Sequence, residues 1–212
     1  MSRFFETMPP LERRRTARLL AVCPKVELAA GETLCHDAFP QAALLVVKQG
    51  IVALASASRG GRRMILAFAT EGSVLPPPRS DELVSGLTEA ALIAVTPAAR
   101  RALLEQPLTA EAVVAGLLDA LSERQESLTQ FANVVHGDRL REKLLQLARR
   151  HGAAVDGGIS IELPLTHELL GQAIGSARET VTTSLRTLEY EGFFVRDGRS
   201  YRLTAPLAPH EM

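Results

Sequence analysis

Thr166-His167-Glu168-Leu169-Leu170-Gly171-Gln172-Ala173-Ile174-Gly175-Ser176-Ala177-Arg178-Glu179-Thr180-Val181 is the stretch on which the fold turns. It predicts a short helix, a glycine turn and a second helix running to about Glu191. Val181, Leu185 and Leu188 fall on one face of that second helix, which leaves Arg178, Glu179, Thr182, Thr183 and Arg186 for the other. This is helix-turn-helix geometry, in which the first residues of the second helix enter the major groove of DNA. Just beyond it, Phe193-Phe194-Val195-Arg196-Asp197-Gly198-Arg199-Ser200-Tyr201-Arg202-Leu203 reads as a hairpin around Asp-Gly. Helix, turn, helix and hairpin make a winged unit.

Working back toward the N-terminus, residues 159–163 read as a strand. Residues 139–150 read as a helix with Leu140, Leu144, Leu145 and Leu147 on one face. A break at His136-Gly137-Asp138, where Asp138 can cap that helix, separates it from a long helix over 109–135. Within the long helix Val114, Leu117, Leu121, Leu128, Phe131 and Val135 are spaced 3, 4, 7, 3 and 4 apart, as in a heptad seam for self-association. Arg124 takes the polar position of the seam, so the coil is expected to splay there or Arg124 to find an acid. The plainer alternative is an amphipathic helix packed on its own domain.

From Lys25 to Val95 short apolar runs alternate with breakers at Gly31, Gly50, Gly60-Gly61, Gly72 and Pro76-Pro77-Pro78. The runs are Val26-Glu27-Leu28, Leu44-Leu45-Val46-Val47, Ile51-Val52-Ala53-Leu54, Met64-Ile65-Leu66-Ala67-Phe68 and Ala91-Leu92-Ile93-Ala94-Val95. Closely spaced short strands predict a small β-barrel, roll or sandwich. Helices flank it at 10–23 and 97–104, each starting at or near a proline.

With 212 residues, 46% of them hydrophobic and 23% charged, the chain has enough core for two modest domains. No apolar run approaches the length of a spanning helix and no signal core opens the chain, so a cytoplasmic protein without membrane contact is expected. Cys23 and Cys35 are too few for a disulfide framework or a four-thiolate site. The histidines His36, His136, His151, His167 and His210 are scattered, and H-E-x-x-H, G-x-S-x-G and P-loop patterns are absent, which argues against an enzyme. The formal net charge of zero lends no general support to nucleic-acid binding, so any such role rests on a local group of cations.

Residues 165–191 resemble the DNA-binding domain of the CRP/FNR family, the cyclic-AMP-receptor-type bacterial regulators, whose recognition segment reads Gly, any residue, Ser, Arg, Glu, Thr, Val. Gly175 to Val181 matches it with Ala177 in place of the serine. Gly31-Glu32-Thr33-Leu34, Leu45-Val46-Val47-Lys48-Gln49-Gly50-Ile51-Val52, Arg139-Leu140 and Leu144-Leu145-Gln146-Leu147-Ala148 are similar to the family too, so the likeness spans nearly the whole chain.

The resemblance implies an α+β fold in three parts: a cupin-like β-roll sensor domain over 1–108, a dimerisation helix over 109–136 and a winged helix-turn-helix over 137–212. It implies a homodimer that binds palindromic operators in double-stranded DNA and works with RNA polymerase. By that resemblance Arg178 reads guanine and Glu179 accepts from cytosine, with Ser176 and Thr180 serving phosphates. Thr182, Thr183 and Arg186 complete the exposed face, while His167 and the wing residue Arg199 are candidate backbone contacts. A capping box between Ser176 and Glu179 is the alternative use of that glutamate. Many relatives carry a further arginine where Thr182 and Thr183 stand here.

Cyclic-nucleotide-binding relatives place Gly-Glu shortly after the glycine that matches Gly72, and later an Arg-Ser/Thr-Ala. Here the chain reads Gly72-Ser73-Val74-Leu75-Pro76-Pro77-Pro78-Arg79-Ser80-Asp81-Glu82. Proline offers a phosphate no N–H and a ribose no carboxylate, so use of cyclic AMP in the family's usual way is not expected. No cofactor or metal is expected either. A haem ligand or redox thiol at Cys35-His36 or Cys23 is the lesser reading, as is a protein that keeps the fold but acts through protein partners without DNA.

Overall fold

The computed structural model describes residues 8–57, 63–133, 136–198 and 200–204; at 132–133, 136–138 and 197 it describes the backbone. The chain divides into two units between Glu126 and Ser127, so the division passes within the long helix. In the N-terminal unit α1 (Pro10–Ala21) leads into eight strands, β1 (Lys25–Leu28), β2 (Thr33–Cys35), β3 (Leu44–Gln49), β4 (Val52–Ala57), β5 (Arg63–Ala69), β6 (Val74–Leu75), β7 (Glu82–Gly86) and β8 (Ala90–Val95). Helices α2 (Pro97–Leu104) and α3 (Pro107–Asn133) follow.

The strands form two antiparallel sheets, ordered β1-β8-β3-β6 and β2-β7-β4-β5. Leu45, Val47, Leu92 and Ala94 from the first sheet meet Val52, Leu54, Ala67 and Val84 from the second in one apolar cluster. The outer face of the first sheet is covered as well, because Leu44, Val46, Ile93 and Val95 pack with Leu20, Ala99, Leu103, Ala112 and Val113 of the helices. A strand buried on both faces reads as a continuous apolar run, which explains Leu44-Leu45-Val46-Val47.

Helix α3 lies close to the first sheet at Gly116, where a Cβ would come within 2.9 Å of Val74 Cβ. A side chain at this position would have no room against the sheet. Two polar links fasten the same helix to the second sheet. Glu123 accepts a hydrogen bond from the Phe68 amide of edge strand β5 at 2.9 Å, so a donor left over by the sheet is satisfied. Arg124 pairs with Glu82 of β7 at 2.6 Å, both side chains largely buried, while Glu82 also accepts from the Arg79 amide.

These links bear on the expected seam, and Arg124 has found an acid, one of the two outcomes expected of it. Leu117 packs against the unit's own core, Arg124 is committed to Glu82, and the Phe131 ring lies over the backbone at Gly175. Val135 lies outside the described residues. Val114, Leu121 and Leu128 face outward as expected, and Leu118 joins them; their exposures are 51%, 51%, 50% and 58%. Leu117 and Leu118 are neighbours in sequence, and a shift of one position exchanges an arginine for Gln125 on the open face.

Removing one member of a buried ion pair strands the other. Glu82→Gln is expected to lower the stability of the N-terminal unit by about 3 kcal/mol in urea unfolding. The double replacement Glu82→Leu with Arg124→Met is expected to recover most of that loss, since two apolar groups need no counter-charge.

Candidate nucleic-acid interface

Beyond Ser127 the chain forms α4 (His136–His151), β9 (Gly152–Val155), β10 (Gly158–Ile161), α5 (His167–Ile174), α6 (Arg178–Tyr190), β11 (Phe194–Asp197) and β12 (Ser200–Leu203). The strands make one antiparallel sheet ordered β11-β12-β10-β9. Strand β9 was not legible in the sequence, since Gly152-Ala153-Ala154-Val155 carries almost no β-propensity. Leu140, Leu144 and Leu147 of α4, Leu170, Ala173 and Ile174 of α5, and Val181, Leu185 and Leu188 of α6 are all buried. Phe194 and Tyr201 meet edge to face beneath the wing, ring centres 5.2 Å apart.

The two helices are set by their ends. Thr166 caps α5, its hydroxyl accepting from the Leu169 amide at 3.1 Å. Gly175 closes α5 in the left-handed region at φ 67°, and a Cβ there would stand 2.3 Å from Phe131 Cε1. Helix α6 starts differently. Its N-cap is Ala177, which makes no side-chain cap, so the capping box between Ser176 and Glu179 does not form.

Arg178, Glu179 and Thr180 are exposed on the first turn of α6, with Ser176 half-buried beside them. An arginine at a helix N-terminus opposes the macrodipole, and the uncapped amides around it favour an anion. Further along, Thr183 and Arg186 are exposed and Thr182 is half-buried. The Thr182 hydroxyl donates to the Arg178 carbonyl at 2.9 Å and lies 2.8 Å from His167 Nδ1. The Thr183 hydroxyl donates to the Glu179 carbonyl at 3.1 Å. His167, at the start of α5, is therefore joined to the face of α6. Its pKa is held below the usual 6.5, first by burial and then by Arg196, Arg178 and Arg186.

Arg196, on β11, was not singled out from sequence because its proximity to His167 depends on how the wing folds back. The other cations of this unit include two with structural tasks: Arg141 pairs with Glu191 and stacks over Phe193, and Arg202 donates to the Asp156 carbonyl at 3.0 Å. Lys143 is buried, donating to Ser127 and Gln146. Arg199, the expected wing-tip contact, lies outside the described residues. Away from this face, Cys23 is buried and Cys35 exposed. Cys35, His36 and Asp37 bring potential ligand atoms within 4.8 Å of one another, all three exposed to solvent.

A helix pair with a tight glycine turn, an open second-helix N-terminus and a hairpin wing defines a winged helix-turn-helix DNA-binding domain. A family profile for the Crp-like helix-turn-helix domain matches residues 138–207. The Global nitrogen regulator of Synechococcus elongatus is 30% identical over 167 residues, 74% of this chain and 75% of that protein. The CRP-like cAMP-activated global transcriptional regulator of Mycobacterium tuberculosis is 24% identical over 90% of this chain and 88% of its own length. Among solved structures, a CooA mutant from Carboxydothermus hydrogenoformans shares the fold with TM-score 0.74 and 20% identity, covering 89% of this chain and 86% of that one. FixK2 from Bradyrhizobium japonicum does so with TM-score 0.69 and 21% identity, over 87% and 93%. The chain belongs to the CRP/FNR family of transcription regulators. It is a regulator with a helix-turn-helix DNA-binding domain, not an enzyme. No helix among the described residues is long and apolar enough to cross a membrane.

The glycine turn sets the angle at which α6 is presented. Gly175→Ala is expected to destabilise the C-terminal unit by about 2 kcal/mol in urea unfolding, combining left-handed strain with the contact on Phe131. Gly192→Ala, at φ 71° with open space around the added Cβ, is expected to lose only the backbone part, about 1 kcal/mol.

Proposed function

We propose that the protein works as a homodimer that reads a palindromic operator in double-stranded DNA, one α6 helix in the major groove of each half-site. The observation that carries this is the first turn of α6, where Arg178 and Glu179 stand exposed and uncapped while Val181, Leu185 and Leu188 anchor the opposite face. A guanidinium fork fits guanine O6 and N7, and a carboxylate accepts from cytosine N4. With no capping box to hold it, Glu179 is open to that second task. Ser176, Thr180, Arg186, His167 and Arg199 are assigned to the phosphate backbone, a positioning role without sequence information. Thr182 and Thr183 have their hydroxyls engaged with carbonyls of their own helix. They shape the face more than they extend it.

The apolar stripe of Val114, Leu118, Leu121 and Leu128 on α3 is assigned to the partner copy. Four large side chains half-exposed on one helix face are what a heptad pairing covers. Two-fold pairing then matches a two-fold operator. In this reading residues 1–108 are the sensor-type domain, 109–136 the dimerisation helix and 137–212 the DNA-binding domain. The setting is the cytoplasm, with RNA polymerase as the further partner.

The relative from Mycobacterium tuberculosis is described as cAMP-activated, but the segment between β6 and β7 suits another mode here. Pro76-Pro77-Pro78 fills it, Arg79 is exposed, and the buried acid that follows is already paired with Arg124. We assign this chain a different effector or none. Calorimetry with cyclic AMP and cyclic GMP is expected to show no micromolar binding, and operator affinity is expected to be the same with and without them. Micromolar binding coupled to stronger operator binding contradicts the assignment.

Removing the base-reading fork is the test of the interface. Arg178→Ala is expected to weaken operator binding by about 1–3 kcal/mol while binding to random duplex changes much less. Arg186→Ala, as a phosphate contact, is expected to weaken both alike and to flatten the salt dependence. Equal losses on operator and random DNA for both variants contradict the division of roles.

A further inference from the structure

His167 sits at the meeting point of both helices and the wing. The Thr182 hydroxyl commits its single proton to the Arg178 carbonyl, so toward His167 Nδ1, 2.8 Å away, it can only accept. The ring therefore carries its proton on Nδ1, and a neutral His167 leaves a bare lone pair on Nε2. That nitrogen is buried and has no hydrogen-bond partner among the described residues. The charged groups facing the ring are Arg178 and Arg186 from α6 and Arg196 from β11. Helix α4, which carries Arg139, Arg141, Glu142, Lys143, Arg149, Arg150 and His151, also packs against α5, and Glu168, next in the chain, is exposed. A positive charge on the ring stands against the charges of Arg178, Arg186 and Arg196.

We propose that operator binding by this chain takes up a proton at His167, with the DNA phosphates as the balancing charge. The inference rests on the DNA-binding reading above. Arg178, Arg186 and His167 all belong to the face assigned to DNA, so bound phosphates reverse the sign of the field at the ring. Direct contact is unnecessary, because charges a few ångströms apart at a desolvated surface interact by kilocalories. Protonation then turns Nε2 from an orphaned acceptor into a donor. Because the same ring holds Thr182, and Thr182 holds the Arg178 carbonyl, the charge on His167 is also felt at the first turn of the reading helix.

The sign follows from linkage. In the free chain burial and the three arginines keep the ring neutral near neutral pH. The bound state raises its affinity for a proton, so binding is strongest in acid and weakens as pH rises through the bound-state pKa. The slope reaches at most about tenfold per pH unit for each half-site.

The test uses the full chain and a palindromic duplex recovered from a random library by selection with that chain, at fixed ionic strength. Calorimetry in two buffers of different ionisation enthalpy counts the protons taken up. The expected result is uptake approaching about one proton per chain near pH 6.5, with affinity falling severalfold between about pH 6 and pH 8. His167→Gln retains an amide that can hydrogen-bond Thr182 but cannot titrate. It is expected to bind with no proton uptake and with affinity varying less than about twofold over that range. A buffer-independent enthalpy in the wild type, or equal uptake in His167→Gln, overturns the inference while leaving DNA binding intact. Failure to recover any duplex overturns the DNA-binding reading, and this inference with it.

Discussion

Helix α3 has one stripe that must be buried inside its own chain, and the nature of that stripe constrains everything around it. Thr109, Ala112, Val113, Gly116, Ala120, Glu123 and Ser127 line it, small residues alternating with a few polar ones. Small side chains let the helix lie close to the sheets, as at Gly116 over Val74. The polar ones then find partners: the Phe68 amide of β5 meets Glu123, and Thr16 of α1 meets Thr109 at 3.2 Å between two fully buried hydroxyls. With its inward face occupied this way, the helix carries its large apolar side chains outward. An apolar stripe on the solvent side of a fastened helix is a surface made for something else to cover.

The winged helix-turn-helix could be read from residues 166–203 because each of its signals is local. Thr166 caps, Gly175 turns, Val181-Leu185-Leu188 sets the buried face, and Asp197-Gly198 reverses the chain. The β-roll was legible as a class, from short apolar runs between breakers, but not in its pairing, which depends on contacts far apart in sequence. On α3 the sequence offers two adjacent apolar stripes, and it does not say which of them the chain's own core takes. Leu117 and Leu118 are equally apolar, and only the tertiary partner of Arg124, Glu82 on β7, shows which of two adjacent stripes is already taken.

The face proposed for DNA shows the same division between local and distant information. Arg178 and Glu179 could be named from the motif they occupy. The roles of Thr182, His167 and Arg196 could not, because they come from three elements and meet only when the wing folds against the helices. A neutral chain nonetheless gathers three arginines around one histidine on this face. Net charge, a sum over the whole sequence, hides such a gathering because acids elsewhere cancel it.

In the proposed arrangement two copies, joined along α3, read two half-sites together. Sedimentation velocity of the protein with a selected palindromic duplex, and with the same duplex after one half-site is scrambled, separates that arrangement from a single reader. Two chains per intact duplex, with a marked loss of affinity on scrambling, is the result this structure leads us to expect. One chain per duplex, with affinity indifferent to the second half-site, would contradict it.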